Sequence, residues 1–205
     1  VLVDVVVSPS YVFIDSKPLL LSSENVTDAM EEIWDVEDVD GVEVISGGWA
    51  PSRMSGKNLT SPYFRLVGIS QSSRVYDGWI GAPTMGENET YVWSGSTDAE
   101  LLDKGDVISL NFTMTSVDNY ERVSEKSFLL NLRVSGFARL SDEALALASG
   151  QYYSYYTTTE ELKIGFTENL LIVSWEATLA KIIDFIRDFS PNYSPIDTTI
   201  LCLLY

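Results

Sequence analysis

The fold is decided by residues 101–136, LLDKGDVISLNFTMTSVDNYERVSEKSFLLNLRVSG. Lys104-Gly105-Asp106 predicts a tight turn, because glycine tolerates the backbone angles that turns require. The turn leads into Val107–Phe112, an apolar and β-branched segment that predicts a strand. A polar stretch, residues 115–126, separates it from a second apolar segment, Phe128–Val134. We therefore expect an antiparallel β-hairpin that stands away from the helices near the two chain ends.

The two ends of the chain show the same order of strand, helix and strand. The predicted strands are residues 3–14, 42–46, 169–173 and 198–205. An amphipathic helix at 24–35 separates the first two, and a helix from Ser174 to about Asp188 separates the last two. Strands and helices in this arrangement predict an α+β fold.

The same order predicts two subdomains. Residues 1–74 and 165–205 are expected to build one split α+β subdomain, and residues 75–164 an inserted β-rich subdomain that contains the hairpin. Gly47-Gly48 is expected to end a strand, so that residues 49–60 form a polar loop. One continuous sheet joining the hairpin to strands 3–14 and 198–205 would contradict the division.

Composition excludes several classes of function. The chain has 30 acidic and 13 basic side chains, a net charge of −17 that repels nucleic acid. It has no histidine, and therefore lacks the commonest general base and zinc ligand. The single cysteine, Cys202, lies in an apolar segment and is expected to be a buried, inert thiol. We expect no catalytic residue, metal or cofactor.

The acidic segments match no catalytic or metal-binding motif. Asp35–Gly41 fails as a calcium loop, because Val39 takes the fifth position, where an oxygen ligand is required. Glu31-Glu32 and Glu160-Glu161 are adjacent in sequence, whereas the two acids of a glycosidase face each other across a sugar. Solvated charged surfaces are therefore the prediction, and a hydrolase that uses carboxylates alone stays open as an alternative.

Five of the eight asparagines lie in N-x-S/T sequences, which are acceptors for glycosylation outside the cytoplasm: Asn25, Asn58, Asn88, Asn111 and Asn192. The alternative is that these residues only shape turns and strands. The apolar segments at the two chain ends, Val1–Val7 and Ile200–Leu204, are shorter than the roughly 20 residues that span a membrane. Both ends are expected to be cut from a longer protein.

Aromatic residues are the candidates for contact with a partner or a glycan. The cluster Tyr152–Tyr156, together with Trp49, Trp79 and Trp93, offers flat faces that stack on sugars or pack at interfaces. We single out Trp79, Tyr153 and Tyr155 as candidate contact residues. Packing in the core is the alternative for each of them.

Five different short motifs follow one another along nearly the whole chain: Val39–Ile45, Leu66-Val67-Gly68-Ile69, Lys104–Leu110, Leu132–Gly136 and Leu171–Ala177. In this order the chain resembles the extracytoplasmic domain of FtsX/MacB/LolC-type ABC transporter permeases. Each motif is short, and the resemblance rests on their order and spacing. The acidic composition, the lack of histidine and the asparagine acceptor sequences depart from the family pattern.

The resemblance implies a split, porter-like subdomain made from both chain ends, with the β-rich part inserted. It implies a non-catalytic domain at the extracytoplasmic face of the cell membrane, flanked by membrane helices of its own full-length chain. ATP hydrolysis would belong to a separate ABC ATPase subunit. The domain would couple ATP-driven movement to an external substrate or partner, with a homodimer as a candidate assembly. The alternative is a free-standing extracellular binding or adhesion module that contacts glycans through exposed tyrosine and tryptophan.

Overall fold

A 15-residue strand organises the fold of the computed structural model. The structure describes residues 2–7, 11–14, 17–20, 23–35, 39–54, 56–71, 73–117, 123–149, 169–189 and 197–204. Within these ranges the strands are β1 Leu2–Val7, β2 Tyr11–Ile14, β3 Lys17–Leu20, β4 Val39–Arg53, β5 Tyr63–Ile69, β6 Glu89–Trp93, β7 Val107–Val117, β8 Val123–Ala138, β9 Asn169–Ser174 and β10 Asp197–Leu204. The helices are α1 Ser23–Trp34, α2 Arg74–Asp77, α3 Asp142–Ser149 and α4 Ala180–Phe189.

Six strands close into a ring in the order β4, β5, β9, β6, β8 and β7. The ring closes where β7 returns to β4, through the pairs Ser52↔Leu110 and Arg53↔Ser109. Two of the pairings, β5 with β9 and β6 with β8, are parallel, and the other four are antiparallel. Each strand of the ring therefore has a neighbour on both sides, which removes the open edges that two separate sheets would expose.

The first half of β4 extends the sheet beyond the ring. Residues 39–47 pair with β10, and β10 pairs with β1 on its other side. Leu2 lies opposite Leu204 at one end of this pairing. The N-terminal and C-terminal strands are therefore neighbours in one sheet, while β2 and β3 form a small hairpin of their own.

Two apolar clusters fill the interior and one outer side of the ring. Leu171 and Val173 of β9 point into the interior cluster, with inward residues of β5, β7 and β8. Leu170 and Ile172 alternate with them and pack outside, against side chains near α2 and α3. Because both faces of β9 are covered, its sequence is a continuous run of buried residues instead of an alternation.

The helix after β9 covers the interior cluster. The Ser174 hydroxyl accepts a hydrogen bond from the backbone N–H of Ala177 at 3.0 Å, which caps the first turn. That turn, Trp175–Leu179, is π-helical and continues into α4. Leu179 lies so close to β5 that a Cβ added at Gly68 would meet its Cγ at 2.9 Å. Gly68 thus permits the close approach of helix and strand.

Several predictions from the sequence are confirmed. The fold is α+β, with a mixed sheet and few helices. The helix predicted at 24–35 is α1, and the helix predicted from Ser174 is the π-helical turn followed by α4. The hairpin is antiparallel as expected, with Val107 opposite Arg133 and Phe112 opposite Phe128.

The expected separation of the hairpin is wrong. β7 and β8 belong to the same sheet as β1 and β10, and Phe128 packs edge-on against Phe185 of α4 with ring centroids 5.7 Å apart. The physical reason is burial: the inward side chains of β7, including Ile108 and Leu110, are 0 % exposed only because the ring encloses them. A two-stranded hairpin alone has no second layer to cover such a face.

Two further expectations are changed, and a third is not tested. The predicted strand 3–14 is two strands, β1 and β2. The predicted loop 49–60 begins with strand, because β4 continues through Arg53 to pair with β5 and β7. Cys202 lies in β10, a strand of which the structure describes the backbone alone. The burial of the Cys202 thiol therefore stays a prediction.

Candidate interaction surface

The outer side of the β4–β5 pair carries a set of aromatic and basic side chains that are exposed or, at Arg65, half-buried. Trp49, Pro51 and Arg53 alternate with inward residues on β4, and Tyr63 and Arg65 do so on β5. The register places Trp49 opposite Arg65 and Pro51 opposite Tyr63. Alternation along a strand puts these five residues on one side, and we call them the outer β4–β5 face.

The aromatic side chains of this face are open to solvent. Trp49 is 44 % exposed and Tyr63 is 53 % exposed. The guanidinium carbon of Arg65 lies 5.6 Å from the centroid of the Trp49 ring, a cation–π distance. This contact across the strands orients the indole. Exposed aromatic rings held in position at low entropic cost are typical of binding surfaces.

The five residues of this face differ in charge from the chain as a whole. Its five residues include two arginines and no carboxylate, whereas the chain as a whole carries −17. Arg53 is exposed at the end of β4. On the neighbouring strand, Asp197 of β10 pairs with Gly47 and therefore lies on the same side of the sheet, diagonal to Trp49. The surroundings of the face thus include a carboxylate as well as the two arginines.

A buried carboxylate fixes the loop that leads into β5. Asp98 accepts hydrogen bonds from the backbone N–H groups of Thr60 at 2.8 Å and Ser61 at 3.1 Å. Its other partner is Asn169 at the start of β9. The backbone of Ser52 adds a hydrogen bond to Pro62 at 2.7 Å. These hydrogen bonds therefore hold in place the start of β5, the strand that carries Tyr63 and Arg65.

Hydrogen bonding keeps Asp98 ionised despite its burial. Asp98 is 0 % exposed, and burial by itself disfavours the charged form. The hydrogen bonds from Asn169, Ser61 and Thr60 outweigh that effect and lower the pKa of the carboxyl below its ordinary value. We call this arrangement, which joins the loop at Thr60 and Ser61 to the first residue of β9, the Asp98 clasp.

A second clasp holds the same loop from the solvent side. Lys57 forms ion pairs with Asp103 at 2.8 Å and with Asp106 at 2.6 Å. Hydrogen bonds to Asp103 and Asp106 raise the pKa of Lys57, and the bond from Lys57 lowers the pKa of Asp106. The turn Lys104-Gly105-Asp106 thus has a structural partner, the loop between β4 and β5.

The contact residues predicted from the sequence lie elsewhere. Trp79 is 4 % exposed and packs between Tyr76 and Tyr91, with ring centroids at 5.7 and 5.1 Å. The expectation that Trp79 is a contact residue is therefore wrong, because the outer cluster beside α2 and α3 encloses it. Tyr153 and Tyr155 lie outside the described residues. Among the tryptophans whose side chains the structure describes, the exposed one is Trp49, which the sequence only grouped with the others.

The predicted glycosylation sites differ in their surroundings. Asn58 and its Thr60 are exposed in the loop between β4 and β5, and Asn25 is exposed on α1. Asn88 is exposed, but its Thr90 is buried and donates to the carbonyl of Ile172 at 3.1 Å. Asn111 is half-buried on β7, and Asn192 lies outside the described residues. Glycosylation of these residues stays a prediction.

No group of three or more histidine, cysteine, aspartate or glutamate side chains suited to a metal ion occurs among the described residues. None of the helices in the described ranges has the length and apolar character needed to cross a membrane. No protein-family model matches the chain. A search of curated proteins also gives no significant match.

Proposed function

We propose that the chain is the extracytoplasmic domain of an ABC transporter permease. In this role it catalyses nothing itself. It transmits ATP-driven movement of membrane segments to a substrate or partner outside the membrane. A separate ATPase subunit supplies the energy, as the resemblance of the motifs Leu66–Ile69, Lys104–Leu110 and Leu132–Gly136 implies.

One observation carries the proposal. β1 and β10 are antiparallel neighbours, with Leu2 opposite Leu204. Cα atoms of paired residues in an antiparallel ladder lie about 5 Å apart. Segments that continue the chain before residue 2 and after residue 204 would therefore leave the domain side by side. A domain inserted between two membrane helices needs this geometry, since both helices must enter the same membrane.

Contacts between the first and last helices support a coupling role. Ser23 at the start of α1 donates to the Asp184 carboxylate through its backbone N–H at 2.8 Å and its hydroxyl at 2.6 Å. β10 also pairs with β4, whose far end closes the ring through β7. A displacement of either chain end would thus reach the ring through hydrogen-bonded strands, instead of through a flexible linker.

The sequence of the gene that encodes residues 1–205 tests the proposal. We expect codons for apolar segments of about 20 residues on both sides, the length that spans a bilayer, and a neighbouring gene with a P-loop ATPase motif. A secretory signal before residue 1 and no apolar segment after residue 205 would contradict the proposal. That result would instead favour the free-standing extracellular binding module.

A further inference from the structure

We propose that the ring is a joint between two halves, which opens at the pairing of β4 with β7 and has its hinge at the pairing of β6 with β9. The opening would serve the coupling role, and only that purpose rests on the proposed function. The movement itself is a property of residues 1–205 and does not require membrane attachment.

The length of the strand pairings divides the ring into two halves. β4 with β5 and β5 with β9 have seven and six residue pairs, and β6 with β8 and β8 with β7 have five and eleven. The two remaining pairings, β4 with β7 and β6 with β9, have two residue pairs each. We call β4, β5 and β9 the first half, and β6, β7 and β8 the second half. Because each ladder hydrogen bond adds its own small stabilisation, the sheet is weakest where the halves meet.

The two halves differ in their connection to the chain ends. β10 pairs with β4, and β1 pairs with β10, so both chain-end strands extend the sheet of the first half. The second half consists of three strands that are consecutive in the sequence, from Glu89 to Ala138. A displacement of the chain ends therefore acts on the first half, and reaches the second half through the two short pairings and the shared apolar interior.

Buried side chains reinforce the pairing of β6 with β9. Thr90 is 0 % exposed, and its hydroxyl donates to the carbonyl oxygen of Ile172 at 3.1 Å. In the turn that follows β6, the Ser96 hydroxyl accepts from the backbone N–H of Leu170 at 3.1 Å. The Asp98 clasp ties the same turn to the first residue of β9. Breaking these bonds would leave buried polar groups without partners, which is costly, so this pairing is the hinge.

The pairing of β4 with β7 is reinforced from the solvent side. It ends at the pair Arg53↔Ser109, and beyond it Lys57 forms ion pairs with Asp103 and Asp106 of the turn before β7. The side chain of Asp103 is 83 % exposed, and those of Lys57 and Asp106 are 23 % exposed. Ion pairs open to solvent contribute little to stability and are weakened by salt. This pairing is therefore the one that opens, and Lys57 is its latch.

The apolar interior limits the extent of the opening. Leu110 of β7 and Ala50 of β4 are both 0 % exposed and belong to the interior cluster. Complete separation of the two strands would bring both side chains into water, which is unfavourable for apolar surface. The open form is therefore a minor state of the isolated chain, and a force on the chain ends would raise its population.

Hydrogen exchange of the 205-residue chain, followed by mass spectrometry of its peptides, measures the opening. Lys57→Met is expected to speed exchange at residues 50–53 and 107–110 by about two- to fivefold, as the loss of exposed ion pairs allows. Residues 89–93 of β6 are expected to stay unchanged. Lys181→Met is the matched control, because it removes an exposed ion pair with Glu87 outside the β4–β7 pairing. It is expected to leave residues 50–53 and 107–110 unchanged.

A reversible lock provides an independent test. Arg53→Cys with Ser109→Cys, in a chain that also carries Cys202→Ser, places two thiols opposite each other across the β4–β7 pairing. Oxidation is expected to slow exchange at residues 50–53 and 107–110, and reduction of the same protein to reverse it. Thr113→Cys with Ser127→Cys, opposite each other within the second half, is the control, whose oxidation is expected to leave both segments within twofold.

Three results would overturn the inference. The first is exchange at residues 50–53 and 107–110 that is unchanged by Lys57→Met or by oxidation of the lock. The second is an equal rise in exchange across all segments of Lys57→Met, which would show a loss of global stability. The third is a larger rise at residues 89–93, which would place the opening at the β6–β9 pairing. None of these results bears on the gene sequence that tests the transport role, so each proposal can fail alone.

Discussion

Asp98 and Asn169 bind each other in both directions. The Asn169 side-chain amide donates to the Asp98 carboxylate at 2.6 Å, and the Asp98 backbone N–H donates to the Asn169 side-chain oxygen at 2.9 Å. Both residues are 0 % exposed. The pair joins the turn before β7 to the first residue of β9, and through Thr60 and Ser61 it also holds the start of β5. Three segments that are distant in sequence therefore depend on one carboxylate.

Asp98→Asn is expected to lower the free energy of unfolding by about 1–3 kcal/mol, because a charged acceptor is lost and buried donors are left without a full partner. Denaturation in urea measures the change. Glu100→Gln, an exposed carboxylate in the same turn, is the matched control and is expected to change stability by less than about 0.5 kcal/mol. Equal stability of both variants would show that the clasp contributes little.

The same carboxylate predicts a dependence of stability on acid. The pKa of Asp98 is lower in the folded chain than its ordinary value, so its stabilising effect is complete above the unfolded pKa of about 4. The effect is lost as pH falls through the lower, folded pKa. Unfolding curves between pH 7 and pH 2 are expected to show a smaller loss of stability below pH 4 in Asp98→Asn than in the natural chain. Parallel curves for the two proteins would contradict this assignment.

Gly68→Ala is expected to destabilise the chain, because the added Cβ would lie 2.9 Å from Cγ of Leu179. Overpacking of a core in this way costs about 1–3 kcal/mol. Leu179→Ala alone is also expected to be destabilising, since Leu179 is fully buried. The double variant is the informative one: we expect it to be more stable than the sum of the two single losses predicts. Strict additivity of the two losses would mean that Gly68 and Leu179 do not compete for the same space.

The different exposure of the tryptophans predicts a fluorescence result. Trp49 is 44 % exposed, whereas Trp79 is 4 % exposed. Trp49→Phe is therefore expected to remove more of the emission that acrylamide quenches than Trp79→Phe does. Stronger protection from quenching after Trp79→Phe would place Trp79 at the surface and would restore it as a contact candidate.

The local pattern of the sequence predicts the elements better than their assembly. Ser174 and the apolar stripe that follows it predict the last helix, and the alternating residues of 107–112 predict β7, because these signals depend only on neighbours along the chain. The ring closes through the pair Ser52 and Leu110, two residues that lie 58 positions apart in the sequence. No local pattern records such a pairing, so the hairpin was expected to stand apart.

The candidate surface was missed for a related reason. Gly47-Gly48 and Pro51 are typical of a chain turn, and they led to the prediction of a loop beginning at Trp49. The strand continues because pairing with β5 and β7 outweighs the weak local preference. A signal was present in the alternation of Trp49, Pro51 and Arg53 with smaller residues. Trp79 is a candidate contact residue with core packing as the alternative, because composition alone does not distinguish a buried aromatic residue from an exposed one; the structure shows the packing.

The most direct test of the proposed transport role is the labelling of the full-length gene product in intact cells. Trp49→Cys, combined with Cys202→Ser, leaves the thiol on the outer β4–β5 face as the one thiol within residues 1–205, for a maleimide that does not cross membranes. Cys202→Ser alone is the control for labelling elsewhere in the full-length protein. The account predicts labelling before the cells are lysed, in a protein that stays with the membrane fraction until detergent is added. Labelling only after lysis, or recovery of the protein in the medium without detergent, would contradict an extracytoplasmic domain of a membrane permease.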